Sequence, residues 1–447
     1  MGIGRRSRSA RLLTVVAAAT ALSVAACGGG SGADAVPDPS EATGAFDWKR
    51  YEGTEIRFVA GQTAWQRLID SATLEEFTEL TGIEVAMEAL PEDQFRQRLQ
   101  VELTAGSSDI DVFMSSVLQD GGRFSSSGWY EDLGQFVEND AVTSPDYGFD
   151  DFGDGVIDGL TFDDDLVGLP VMLETQMLYY RKDLLQAAGL DVPATHDELK
   201  SAAAALDDPD AGVRGFSSRG KRAAAVTQLA TFLYNQGGEW TGEDGKAAFD
   251  SPEGVKAFEL YGDLVREHGP AGAVNNSWEE LLPLFQQGRL AMWADNSGQA
   301  AELVNPDTST VADQVGFAPM PGGPAGDDQS FFTWALAMSS QSEKKGPAWY
   351  FIQWATSPEM VERVQAEGVA GGRQSVPFGD DVPADFVETF QSSLPVARAQ
   401  LPQVRSVPEV RDVIGQAIVT AIEGGDVAAA VSSAATEFNR IVEAEGP

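Results

Sequence analysis

Cysteine and histidine are almost absent from this chain: one Cys and two His in 447 residues. A single thiol closes no disulfide, and one thiol with two imidazoles cannot complete a structural zinc cage. Basic residues are scarce too, with 30 Lys and Arg against 69 Asp and Glu and a formal net charge of −39. Such a polyanion repels phosphate backbones and anionic lipid surfaces, which argues against a nucleic-acid partner. No Gly-x-Ser-x-Gly elbow, no Walker loop and no Gly-x-Gly-x-x-Gly after the first strand is present. Nor does any segment recur at a fixed period. Apolar residues are plentiful at 43%, enough for a large core. At about 150 residues per domain the length predicts two or three domains.

The amino terminus is built like an export signal. Arg5, Arg6, Arg8 and Arg11 precede an apolar stretch from Leu12 to Val24, too short to span a membrane comfortably. It ends in Val24-Ala25-Ala26-Cys27, similar to a bacterial lipobox, where cleavage precedes a cysteine that then carries lipid. The sole thiol of the chain stands at that spot. We therefore expect a signal peptide over 1–26, lipidation (palmitate) at Cys27 and a flexible Gly-, Ser- and Pro-rich tether over 27–45. Loss of a leader with four Arg and no acid leaves the mature chain more acidic still. These features predict an extracytoplasmic globule held at the cell membrane by its acylated Cys27.

Beyond the tether, strands and helices alternate. Glu55–Ala60, Ile83–Leu90 and Asp109–Met114 read as strands. A helix is predicted from Ala64 to Leu80, stopped by Thr81-Gly82, and a second from Pro91 with Phe95, Leu99 and Leu103 on one stripe. This rhythm predicts βαβ units and a mainly parallel sheet. Helices are also predicted over 182–189, 196–206, 222–237, 252–268, 278–287, 347–355, 358–365 and about 409–444. Short strands are expected over 166–170, 177–180, 290–293 and 333–338. The fold class is α/β with two lobes.

Neither a metal nor a cofactor is called for. The acidic run Asp150–Asp165 fails as a calcium loop: counted from Asp150, its third position is Phe152 and its twelfth Thr161. His196 sits at a helix start and His268 at a helix end, where capping and dipole effects explain them. Aromatic residues in loop-like settings are the positive signal, since flat apolar rings cover the C–H faces of sugars while carboxylates and amides take the hydroxyls. Trp65 follows the first strand, Trp240 follows Gly237-Gly238, Trp278 follows Asn275-Asn276-Ser277, Trp293 and Asp295 end an apolar strand, and Phe332 and Trp334 bracket Thr333. Ser115 and Ser116 follow the third strand, where ligand crevices of α/β sheets lie.

Several segments resemble one family in the order they occur. They are Gly168-Leu169-Pro170-Val171, Glu174-Thr175-Gln176, Leu178–Leu184, Phe285–Met292 and Ala348–Glu359. Together they look like the extracellular solute-binding proteins of carbohydrate ABC importers, the maltose-type family. His268–Ala273, Ala291-Met292-Trp293-Ala294-Asp295, Asn305-Pro306-Asp307 and Arg373-Gln374-Ser375 are similar to its sugar-alcohol branch, which usually has Ala-Thr where Asn296 and Ser297 stand. The resemblance implies a two-lobed periplasmic-binding-protein-like fold (type II) with a hinge. One lobe would come from 46–138 and 322–365, the other from 139–321 and 366–447. It implies a monomer that is no enzyme, that captures a small neutral sugar or polyol between its lobes, and that delivers it to a membrane permease. By the same resemblance Asp295 and Glu280 would accept hydroxyl hydrogens, Arg373 would donate and Trp334 would stack, with Trp65, Trp240, Trp278 and Glu174 behind them. The alternatives are a secreted glycan-processing enzyme and a ligand sensor on the same fold.

Overall fold

The computed structural model describes Pro39 and residues 42–445. The expected leader, Cys27 and most of the tether lie outside the described residues. Among the described residues there are ten strands: β1 (Glu55–Gly61), β2 (Glu84–Leu90), β3 (Val112–Ser115), β4 (Thr161–Phe162), β5 (Asp165–Leu166), β6 (Leu169–Arg181), β7 (Met292–Asn296), β8 (Val315–Pro319), β9 (Gln329–Met338) and β10 (Ala397–Ala399). Eight of them form one sheet in the order β2-β1-β3-β9-β6-β7, with β8 also on β6 and β10 on β9. The sheet is mixed, not mainly parallel. β1 pairs in parallel with β2 and β3, as the βαβ rhythm requires. β9 then runs antiparallel to β3 and β6, and β7 and β8 run antiparallel to β6. The parallel pattern ends where local crossovers end, because β9 returns only after a long excursion.

β6 and β9 join the two halves of the sheet. The first half of β6, Leu169–Thr175, pairs with β9, and its second half, Gln176–Arg181, pairs with β7 and β8. The sequence pattern predicts two separate short strands here. The polar stretch Glu174-Thr175-Gln176 interrupts the apolar alternation, yet it is buried and continues the ladder, with the Gln176 amide bonded at both ends. Gln176 donates to the Gln228 carbonyl (2.9 Å) and accepts from Thr231 (2.6 Å) and Ser330 (3.1 Å). Pro170, which has no N–H for a ladder, is absorbed by a register shift between Pro170 and Met172.

Caps correct two helix boundaries. The stretch 64–80 is two helices, Ala64–Leu68 and Ser71–Thr81, because the Asp70 carboxylate accepts from Thr73 N (2.8 Å) and starts a new one. Gly82, at φ 74°, ends it in the left-handed region. The carboxy-terminal stretch is likewise two helices, Val407–Ile422 and Val427–Ala444, the second capped by Asp426 on Ala429 N (3.0 Å). The acidic run folds into the short helix Asp154–Asp158 and the β4-β5 hairpin. The hairpin's turn residues, Asp163 and Asp164, both have positive φ, which short Asp side chains tolerate. Helices Val117–Ser126 and Ala384–Ser393 are found only in the structure; Gly121-Gly122 inside the first is unfavourable to helix from local propensity.

One large core runs beneath most of the sheet, built on Phe58, Phe113, Trp349 and Phe351. A second, smaller core gathers Tyr179, Trp293, Phe317 and Phe386 around β7 and β8. Among the described residues no helix is long and apolar enough to cross a membrane. Among the same residues no group of three or more His, Cys, Asp or Glu could hold a metal ion.

Candidate functional site

The two shared strands carry a cavity on one face. Side chains alternate along a strand, and Met172 and Glu174 of β6, opposite Trp334 and Phe332 of β9, point to the same side. There they line a cavity of about 50 Å³. Gln62 and Thr63 at the end of β1, Glu92 and Gln119 close one wall; Arg219, Trp278, Asn296 and Arg411 close the other. Three cross-wall ion pairs bridge its surroundings: Lys221 with Asp93 (3.0 Å), Arg67 with Glu302 (3.1 Å) and Arg123 with Glu409. Arg411 also reaches over to Gln119.

Charges in and under this cavity are largely matched. The guanidinium of Arg219 grips Asp295, with Nε 3.1 and 3.0 Å from the two carboxylate oxygens. Tyr261 donates to the Arg219 carbonyl (2.5 Å) and Asn296 N to Asp295 (2.8 Å), which fix both partners. On the opposite wall Arg96 binds Glu92 (2.8 Å) and Asp120 (2.9 Å) while lying over the Trp334 ring at 5.2 Å. Burial pushes the Glu92 carboxyl up, but Arg96, with Arg219 and Arg411 behind it, holds it down at about 2. Arg411 makes no ion pair among the described residues. Burial, with Arg96 nearby, lowers it to about 10, and its Nε donates to the Ala223 carbonyl (3.1 Å).

Glu174 is the odd member. Its carboxyl is buried, accepts from Gly298 N at 3.2 Å, and has no ion-pair partner among the described residues. Burial raises it to about 7, Asp295 adding to the rise and Arg219 opposing it. A Cβ on Gly298 would stand 2.3 Å from the Glu174 Oε1, so a larger residue there would displace the carboxyl.

The structure brings some of the sequence-predicted residues together and not others. Trp334, Trp278 and Glu174 line the cavity. Asp295 lies directly beneath it, spent on Arg219. Ser115 and Ser116 lie behind the wall: Ser115 shares a hydrogen bond with Tyr130 (2.6 Å) and Ser116 N donates to Asp120 (3.3 Å). Glu280 completes a capping box, accepting from Ser277 N (2.8 Å) at the start of Trp278–Gln286. Arg373 is locked elsewhere, donating to the carbonyls of Thr356 (2.7 Å), Gly148 (2.8 Å) and Tyr147 (2.7 Å). Trp65 and Trp240 are core residues, packed on Phe58 and Phe249. His196 stacks on Phe232 and bonds Gln236 (2.9 Å), and burial lowers it to about 4.

Arg96, Arg219, Arg411 and Glu92 escaped the sequence reading. Three of them sit at helical positions, where a charge reads as a solvated face; only tertiary packing buries them. The isolated Arg219, between Ser218 and Gly220 in a polar loop, offers no periodic signal at all.

A clamp-like sheet, two strands shared by both halves and a cavity lined from both define the two-lobed, periplasmic-binding-protein-like class of fold. The comparisons agree. The model of the bacterial extracellular solute-binding protein family matches residues 59–362, well over half the chain. The chain belongs to that family, which places it outside the cytoplasm. An erythritol/L-threitol-binding protein of Mycolicibacterium smegmatis is 28% identical over 453 residues, covering 96% of this chain and 94% of its own. A mannitol-binding protein of Pseudomonas aeruginosa is 32% identical over 324 residues, 71% of each chain. Among solved structures, an ABC transporter solute-binding protein of Agrobacterium radiobacter in complex with ribitol superposes with a TM-score of 0.80 at 26% identity, over 87% of this chain and 99% of its own. One from Agrobacterium vitis with bound D-mannitol gives 0.75 at 28%, over 88% and 99%.

Proposed function

We propose that this protein closes its two lobes on a small neutral polyol or sugar and hands it unaltered to the permease of an ABC importer. The observation that carries the reading is the pairing of charge in the cavity. Arg219 faces Asp295, and Arg96 faces Glu92 and Asp120; among the described residues only Arg411 and Glu174 line the cavity without an ion-pair partner, and they are of opposite sign, so the lining carries no strong net charge for a charged guest. A polyhydroxyl guest would find donors and acceptors on both walls and the rings of Trp334 and Phe332 against its carbons. The names of the relatives, which bind erythritol, threitol, mannitol and ribitol, support the same class. The small volume favours a short chain or a single ring over an oligosaccharide, since it has room for only a few water-sized bodies.

The hinge lies where β6 and β9 pass from one half of the sheet to the other, and the cross-wall ion pairs belong to the closed form. A ligand stabilises that form by touching both walls at once. Lipidation at Cys27 would keep the monomer beside its permease, raising the rate of productive encounters. Nothing in the cavity pairs a nucleophile with a base, and the family consists of binding proteins, so no turnover is expected.

Calorimetry of the mature chain against erythritol, threitol, ribitol, mannitol, glucose and maltose tests the reading. Saturable heat with at least one short polyol or monosaccharide is expected. No heat with any of them, or chemical conversion of one, overturns it.

A further inference from the structure

The same two strands have a second cavity on their other face. Leu173 of β6, paired with Thr333 of β9, points away from the first cavity, and so does Phe331. These residues line a space of about 550 Å³ behind the hinge. Its remaining walls come from the short helix Asp154–Asp158, the Gly371–Gln374 loop, the start of the helix Val117–Ser126 and the apolar faces of Phe378, Phe390 and Leu394. Val156 packs onto the cluster of Leu173, Ala370 and Phe390 that forms one of these walls. The one cation at the rim, Arg373, is satisfied by three backbone carbonyls and lies 3.6 Å from Asp151, and its side chain is 0% exposed. An ion would therefore find no partner there. The volume lies in the range of small-molecule sites and the lining is predominantly apolar.

We infer that this rear cavity is a second binding site, for a neutral and largely apolar small molecule, and that its occupation is coupled positively to ligand binding in the front cavity. The coupling follows from the geometry. Bending about β6 and β9 to open the front face brings the rear walls together, and closing the front parts them. An occupant that holds the rear walls apart stabilises the closed clamp. Reciprocity then requires the front ligand to tighten the rear one by the same factor. The existence of the rear site stands on its lining alone; only the coupling rests on the polyol reading.

The test uses the mature chain and N-phenyl-1-naphthylamine, an uncharged probe that fluoresces in apolar surroundings. Val156 is half-buried on a short helix, so V156W and V156D should fold, which melting curves check. Saturable probe binding is expected in the wild type and is lost in both variants, through filling in one and charge in the other. The best polyol from calorimetry should tighten the probe by about fivefold or more. V156W alone should raise polyol affinity, and V156D should not. Probe binding that neither substitution alters overturns the site, as does the absence of binding to the wild type. An unchanged polyol affinity in both V156W and the probe-loaded protein overturns the coupling. If no polyol or sugar binds at all, the front-cavity reading fails by itself, and the rear site is decided by the two variants in the probe titration.

Discussion

Glu174 gives the protein a stability that falls as pH rises from about 4.5 to about 7, and Glu174→Gln removes that fall. The carboxyl is 5% exposed, receives one backbone N–H and faces Asp295. In the folded chain it is raised to about 7 from an ordinary 4.5. Between those two values the folded state holds a proton that the unfolded state has released. Stability therefore declines as pH rises through the window, and the penalty is complete above about 7. At about 1.4 kcal/mol per tenfold change, the interval amounts to roughly 3 kcal/mol between pH 4.5 and 8. His196 works in the opposite sense: lowered to about 4 by burial, it resists charging, and stability is lost as pH falls below its ordinary 6.5. The comparison must therefore be between wild type and Glu174→Gln at each pH, which cancels His196 and every other group. Gln keeps the shape and an oxygen for the Gly298 N–H. Urea unfolding followed by tryptophan fluorescence at pH 5, 6, 7 and 8 is the assay. The variant should gain on the wild type progressively, reaching about 3 kcal/mol at pH 8. A constant difference across the series would refute the reasoning, because it would mean that Glu174 ionises in the folded chain as it does in the unfolded one.

Other consequences follow from the same site. Asp295→Asn strands the buried Arg219 guanidinium and should cost about 3–5 kcal/mol of stability in thermal or urea unfolding; a loss below 1 kcal/mol would show that the pair is not a buried one. Gly298→Ala places a Cβ against the Glu174 carboxyl and should weaken polyol binding in calorimetry; an unchanged affinity would show that the carboxyl moves aside without cost to the site. The ion pairs Lys221–Asp93, Arg67–Glu302 and Arg123–Glu409 are each worth at most about 1 kcal/mol. Raising salt from about 0.05 to 0.5 M should nonetheless weaken binding of an uncharged ligand several-fold by screening the closed form. Neutralising Asp93, Glu302 and Glu409 together should flatten that salt dependence.

The legible parts of the fold were those set by local chemistry. The strand β1, the stripe of Phe95, Leu99 and Leu103, the helix start at His196 and the Gly82 stop all depend on neighbours in sequence. The long strand β6 was not legible as one element, because Glu174, Thr175 and Gln176 look like a loop until Gly298 reaches Glu174 and Gln228, Thr231 and Ser330 bond Gln176. The split at Asp70 was missed because a capping Asp inside an amphipathic run reads as one more exposed acid. For the cavity, tryptophan placement pointed at Trp334 and Trp278 and equally at Trp65 and Trp240, since a ring's type does not tell core from cleft. The buried arginines carry the electrostatics of the site, and nothing local distinguishes them from surface charges. What identifies them is distance in space to a carboxylate far away in the chain, as with Arg219 and Asp295.

The central claim is tested most directly by a crystal structure of the mature chain with the polyol that calorimetry selects. The account predicts one ligand between the shared strands, its carbons against Trp334 and its hydroxyls within hydrogen-bond reach of Arg219, Arg411 or Glu174. Ligand density outside that gap, or an unaltered open cleft at saturating polyol, would contradict it.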